Sequence, residues 1–428
     1  MLAKNARMPG LIAQCTNAMR FPYHLALLIC LAAIRSAIAQ SPETAYESSG
    51  PVEAAMLVPA PWMTGAHHRV LPEAWHDGLQ VTYGLMTETG EQPVLGTQAL
   101  MIRIREIEAI SELREMSKTK EFTKALAKAG RDKVGSAVDL VSDPLGTVKK
   151  LPQGASRFFG RIGESLKGGA SKGETGTVAS MLGMRTKKAE LALKLGVSAY
   201  SSNQELQGEL NKAARAMAAG AMMVEVAGLA VDGGASAALS VIGVNQTLHD
   251  TLVNSTPEDL QAADRKILLG LGVPVALAEE FVLNPWFSPW QEALIVEALN
   301  RIGVDPSVFL AVAKTVQTEE DARYFVQLAR LYLKQHQDIA PLKSFQIERR
   351  ILCALDAKDA LVVAVSLDYG IWSARMAQRA EEFASLVTPN GPVKSVRLAV
   401  DGLLSERVSH ELMQRGIVSS AFTLGTWH

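Results

Sequence analysis

The run AMAAGAMMVEVAGLAVDGGASAALSVIGV, Ala216 to Val244, is the longest low-charge, small-residue stretch of the chain, and it sits near the middle. Only Glu225 and Asp232 interrupt it. A membrane span needs roughly 20 apolar residues. Asp232 near the centre costs about 3 kcal/mol on insertion scales, and Gly233-Gly234 beside it favours a turn. The stretch therefore reads as a buried helical hairpin within 203–248, led in by Ser201-Ser202-Asn203. Leu206, Leu210, Ala213 and Met217 lie on one face of its first helix. Small residues let the two helices approach closely. A fixed span and a hairpin that inserts into a membrane are the alternatives.

Outward from this centre, residues 191–342 read as a helical domain. Thr186 opens a helix that Gly196 closes. Thr256-Pro257-Glu258-Asp259 and Ser288-Pro289-Trp290-Gln291-Glu292 each place a capping hydroxyl before Pro at the first helical position, with acids in the first turn. Asp305-Pro306 and Thr318-Glu319-Glu320-Asp321 open two more helices. Short links between helices of this kind describe a bundle or array, and no strict repeat favours a solenoid. Trp286, Phe287 and Trp290 read as packing residues.

Beyond Pro341 the periodicity changes to two, so 343–428 reads as a C-terminal α/β domain. Phe345 to Leu355 alternates as one hairpin strand, and Asp356-Ala357-Lys358-Asp359 turns it toward the next. Leu361 to Leu367 is apolar on both faces, as in a buried parallel strand. Helix, strand, helix and strand follow, a βαβαβ-like order. On the N-terminal side, Leu79, Val81, Tyr83 and Leu85 alternate with polar residues and Thr87–Glu91 makes a turn. A helix from Gln98 to Glu115 follows, so 66–116 is a β-hairpin plus helix. The fold class is α+β, mainly α.

The 428 residues suit two or three domains. The net charge of −1 argues against a nucleic-acid binder. That average conceals residues 117–190, with 15 Lys or Arg against 7 Asp or Glu. There Lys149, Lys150, Arg157 and Arg161 interleave with Phe158, Phe159 and other apolar residues, a pattern that lies on an anionic membrane surface or simply covers a core. Within Lys167 to Thr177, a flexible glycine-rich loop, near-matches to a nucleophile elbow and a phosphate loop lack the required context.

Leu25–Ile34 is a ten-residue apolar core behind Arg20, and Ala37-Ile38-Ala39 follows as a cleavage site. Residues 1–39 thus read as a signal peptide cut after Ala39, with Met1 or Met19 as the start. Residues 40–65, rich in Pro, Ser, Ala and Glu, read as a disordered linker. Cleavage leaves Cys353 as the one cysteine, a buried structural thiol in an exported, periplasmic or secreted chain without internal disulfides.

Chemistry has few candidates. His67, His68 and His76 have a spacing that permits a metal site but does not fix its geometry. Asp368 and Asp401 fall at the carboxyl ends of neighbouring strands, where α/β sheets bind ligands, although either residue also suits a cap or turn. No cofactor fingerprint is visible and no cofactor is expected. The expectation is a non-catalytic envelope protein that binds an anionic membrane surface or another envelope protein. The alternatives are an enzyme with its site at the C-terminal strand ends, and a membrane-inserting protein that uses 216–244.

Overall fold

A computed structural model describes residues 45–131, 175–218 and 246–424. The predicted signal peptide, most of the central apolar run and all six membrane-surface candidates (Lys149, Lys150, Arg157, Phe158, Phe159, Arg161) lie outside these residues. The chain is a mixed helix-and-sheet protein. No helix among the described residues is long and apolar enough to cross a membrane.

The first sheet is antiparallel, in the order β1 (Gly50–Glu53), β2 (His68–His76), β3 (Val81–Thr87), β4 (Gly90–Leu95). The linker composition of Gly50 to Glu53 predicts no regular structure, and the structure corrects this. Gly50 pairs with His76 and Glu53 with Glu73, and Ala54 and Val58 are buried just beyond. A one-turn helix, α1 (Ala60–Met63), completes the segment. The pairing partner lies some twenty residues away, so no local periodicity marks the strand. Helix α2 (Thr97–Ser117) packs on this sheet through Leu100 and Ile104. Ala109, Ile110 and Leu113 turn instead into the large helical core.

Eight further helices precede the second sheet in the described chain beyond residue 174, after α3 (Lys120–Arg131). The first seven are α4 (Thr175–Lys194), α5 (Gln204–Ala218), α6 (Gln246–Asn254), α7 (Pro257–Gly270), α8 (Val275–Val282), α9 (Pro289–Ile302) and α10 (Ser307–Ala313). The long α11 (Glu319–Asp338) follows them. Helix α4 begins at Thr175, well before Thr186, so the end of the expected glycine-rich loop is helical. Thr256 and Ser288 each form a reciprocal capping box with the residue three positions on. Trp290 is buried, edge-on to Tyr200 at 5.7 Å, and its Nε1 donates to the Leu252 carbonyl at 3.3 Å.

The second sheet has the order β11 (Ile417–Ala421), β9 (Ser395–Val400), β7 (Ala360–Val365), β6 (Ile351–Asp356), β5 (Leu342–Glu348). Strands β7, β9 and β11 run parallel; β5 to β7 form an antiparallel meander. The apolar run in β7 is explained by two cores. Val362 and Ala364 face the helical array. Leu361 and Val363 face the layer of α12 (Ala374–Ala384) and α13 (Glu406–Gln414). Phe309 of α10 locks array to sheet, touching Phe325, Tyr332 and Phe345 edge-on at 5.6–6.4 Å between ring centroids. A short parallel bridge joins β8 (Tyr369–Gly370) to β10 (Leu403–Leu404). Cys353 is buried, its thiol donates to the Ile351 carbonyl at 3.4 Å, and burial pushes its pKa up to about 12.

Two local features oppose stability. The β5–β6 turn places both Arg349 and Arg350 at positive φ, 49° and 67°. Two-residue hairpin turns of this hand favour an Asn followed by a Gly, because a side chain in the left-handed region costs about 1–2 kcal/mol. The double substitution Arg349→Asn with Arg350→Gly is therefore expected to raise stability by about 1–2 kcal/mol, read as a higher urea midpoint. The second feature is Asp264, which interrupts the buried stripe Leu260, Asp264, Leu268 of α7. Its Oδ2 has no hydrogen-bond partner among the described residues. Burial raises its pKa to about 8, against ~3.9 for an unfolded aspartate. The stability linked to this proton is present below pH ~4 and is lost as pH rises through the folded value. Asp264→Leu is thus expected to stabilise the fold, with a gain that grows from pH 5 to pH 8 in urea titrations; a gain independent of pH would contradict it.

Candidate binding site

The two candidate aspartates do come close at the carboxyl ends of β7 and β9, but their oxygens are occupied. Asp368 Oδ2 accepts from Val81 N and Oδ1 from Thr97 N, both at 2.9 Å. Thr97 is the first residue of α2. The residue before it, Gly96, has φ +93° and no side chain to offer. Asp368 therefore acts as the helix cap from 271 residues away in sequence. Its own N–H donates to the Leu79 carbonyl at 2.8 Å, and its carbonyl accepts from Leu403 N at 3.0 Å. Burial holds its carboxyl above the ordinary carboxylate range, against the pull of these donors. Gly402 is required beside it, since a Cβ there would lie 2.0 Å from the Leu367 carbonyl oxygen.

Asp401 accepts from Ser366 Oγ at 2.7 Å and from Leu367 N at 3.0 Å. Burial raises its pKa to about 6. Its charge reaches two residues of α11. Burial lowers Arg330 to about 10 and Asp401 opposes that shift. Tyr324 is raised to about 12 by its crowded surroundings and then by Asp401. Arg330 remains a cation at neutral pH and donates to Gln327 Oε1 at 3.2 Å. Asp368 thus serves as an acceptor that joins the two sheets, while Asp401 ties the end of β9 to the segment that follows β7.

The histidine candidates do not converge. His68 and His76 open and close β2, separated by roughly 26 Å of extended strand. His68 Nε2 lies 3.2 Å from the Trp62 carbonyl oxygen, and the His76 ring meets Tyr369 edge-on at 5.2 Å. His67 contacts Glu88 Oε1 at 3.0 Å and Ser111 Oγ at 2.8 Å. No group of three or more metal-ligating side chains is assembled among the described residues.

What sequence reasoning missed is a cleft of about 670 Å³ between β4, α2, the Ser198–Asn203 turn and the starts of α9 and α11, a volume within the usual range for ligand pockets. Its floor carries two buried glutamates on different helices. Glu106 of α2 accepts from Ser201 Oγ and, at 2.9 Å, from Asn203 Nδ2; Arg103 Nη1 stands 3.4 Å away. Glu319 of α11 accepts from Ser202 Oγ at 2.9 Å, with Arg323 Nη1 at 3.7 Å. The turn thus clamps α2 to α11, and Asn203 Oδ1 also caps α5 through Leu206 N at 3.3 Å. Ala99, Ile102, Val94 and Leu95 supply the apolar wall. Glu106 lies between Ile104 and Ile107 in the sequence, and an acid inside an apolar helical face was the available signal. Paired already with hydroxyl and amide donors, these acids shape and polarise the cleft.

Compared with known proteins, the chain matches no family model, no curated protein and no solved structure.

Because Asp368 serves two buried backbone donors, Asp368→Ala is expected to cost about 2–3 kcal/mol, a lost cap plus an unpaired buried N–H. Urea unfolding reads the loss. Hydrogen exchange at the Val81 and Thr97 amides should rise with it, and unchanged exchange there would refute the capping role.

Proposed function

We propose that the chain is an exported envelope protein of binding or structural type, without a catalytic role, that associates peripherally with an anionic membrane surface through its basic segment. The observation that carries the non-catalytic part is the use of Asp368 and Asp401 as acceptors for backbone and hydroxyl donors. The export part is supported by Leu25–Ile34 with Arg20 before it and Ala37-Ile38-Ala39 after it. The membrane part is supported by the concentration of Lys and Arg in 117–190 within a chain of net charge −1. In this reading the helical array follows an N-terminal sheet-and-helix unit in the sequence and precedes a C-terminal α/β unit, and the two flanking units meet at Asp368. The polar cleft walled by Glu106, Glu319 and Arg323 offers a place for a segment of another envelope protein.

Cosedimentation with vesicles tests the membrane part. Binding to anionic but not neutral vesicles is expected at low salt, and its loss at high salt. Lys149→Ala combined with Lys150→Ala should weaken partitioning by about 2 kcal/mol, roughly thirtyfold. No binding at low salt would overturn this part, and salt-resistant binding would shift attention to the apolar run 216–244.

A further inference from the structure

Helix α2 lies on the first sheet through Leu100, Ile104 and Ile107. The next position on that stripe, one turn further on, is Ser111, so a hydroxyl stands where the helical period calls for another apolar side chain. The sheet end beneath it is set by register. His68 pairs with Thr87 across β2 and β3. One residue further out, His67 therefore comes opposite Glu88, the first residue of the two-residue turn between β3 and β4. Thr89 N donates to Thr87 Oγ1 at 3.2 Å, and Thr87 Oγ1 donates to the Gly90 carbonyl at 3.1 Å, which holds that turn. Three side chains from distant parts of the sequence thus meet in line. Glu88 Oε1 stands 3.0 Å from His67 Nδ1, and His67 Nε2 stands 2.8 Å from Ser111 Oγ.

The carboxylate fixes the positions of the protons. An ionised carboxylate only accepts, so Nδ1 carries the hydrogen and donates to Glu88. The neutral ring then offers Nε2 as an acceptor, and Ser111 donates its hydroxyl proton to it. Nucleophile, base and orienting acid are defined by this geometry and not by their order in the sequence. One part of a site built for turnover is missing from the helix. Ser111 lies inside α2, where backbone N–H groups are spent on carbonyls one turn back. Neither its own N–H nor those beside it can hold an oxyanion, a contribution of roughly 10²–10³ in rate.

We propose that Ser111 is a modification site, an activated hydroxyl that takes the acyl group of a carboxylic ester with a good leaving group and retains it. Ser111 Oγ bonds to the acyl carbon and its proton passes to His67 Nε2. The bond from that carbon to the leaving oxygen breaks, and the proton departs with the leaving alcohol or phenol. His67 returns to its neutral form, and Glu88 positions it throughout. This goes beyond the membrane-surface reading and does not rest on it.

A fluorophosphonate probe tests the nucleophile on the full chain, because the same attack forms an Oγ–P bond and expels fluoride. Intact mass is expected to rise by one phosphonyl group, mapped to Ser111 by peptide sequencing, and Ser111→Ala should abolish it. His67→Gln keeps a side chain that can hydrogen-bond Ser111 but removes the base, so labelling should slow by about a hundredfold or more with unchanged circular dichroism. The His67 and Glu88 side chains are 37% and 74% exposed, so neither substitution disturbs a core. Glu88→Ala should slow labelling less than His67→Gln, and Glu88→Asp should recover part of that loss. With p-nitrophenyl acetate, the wild type should release one equivalent of nitrophenolate more than Ser111→Ala and then stop. Absence of label at Ser111, or equal labelling in His67→Gln, would overturn the proposal and leave a hydrogen-bonded tie between helix and sheet. Continued release above the Ser111→Ala background would overturn retention of the acyl group.

Discussion

The Asp368 carboxylate is the constraint on which the arrangement of sheets depends. One side chain at the end of β7 holds the N–H of Val81 in β3 and the N–H of Thr97 at the start of α2. It thereby fixes the N-terminal sheet, its helix and the C-terminal sheet against one another. A glycine before the helix leaves the cap position open, and a glycine after β9 lets the Leu367 carbonyl approach. Burial disfavours the ionised carboxylate, and two backbone donors favour it. The balance is that of a structural joint, in which a charge is tolerated because it is spent on orphan donors.

The Ser198–Asn203 turn repeats this logic on the other side of α2. A run of small hydroxyl residues, Ser201 and Ser202, followed by Asn203, donates to Glu106 on one helix and Glu319 on another. Buried glutamates are costly without donors, and here each has a hydroxyl donor from the same turn. The cleft beside them owes its polarity to the clamp that holds it open. Asp264 shows the contrasting case: a buried carboxylate whose Oδ2 has no such donor among the described residues, raised to about 8 by burial.

Local chemistry was legible where it acts over a few residues. Thr256 and Ser288, each followed by proline, were readable as helix starts, and both form capping boxes. The two-sided apolar run Leu361–Leu367 implied a buried parallel strand, and alternate residues of β7 do enter two different cores. The burial of Cys353 followed from its apolar neighbours. Each of these signals is a period or a cap, set by backbone geometry within one element.

Other features were decided only by tertiary contact. Gly50–Glu53 has the composition of a linker, and becomes a strand because β2 presents an edge to it. His67, His68 and His76 are neighbours in sequence, yet a strand sends successive side chains to opposite faces and carries its ends apart. Asp368 and Asp401 were correctly placed at strand ends, but their use as acceptors depends on Val81, Thr97 and Ser366, which only the folded chain brings to them. The sequence by itself determined where helices begin, which strands are buried on both faces and which thiol is inert, because those are local matters of capping, period and hydrophobicity. The fold alone decided which charged groups are spent on orphan donors and which strand lies at a sheet edge, because both depend on partners far away in the chain.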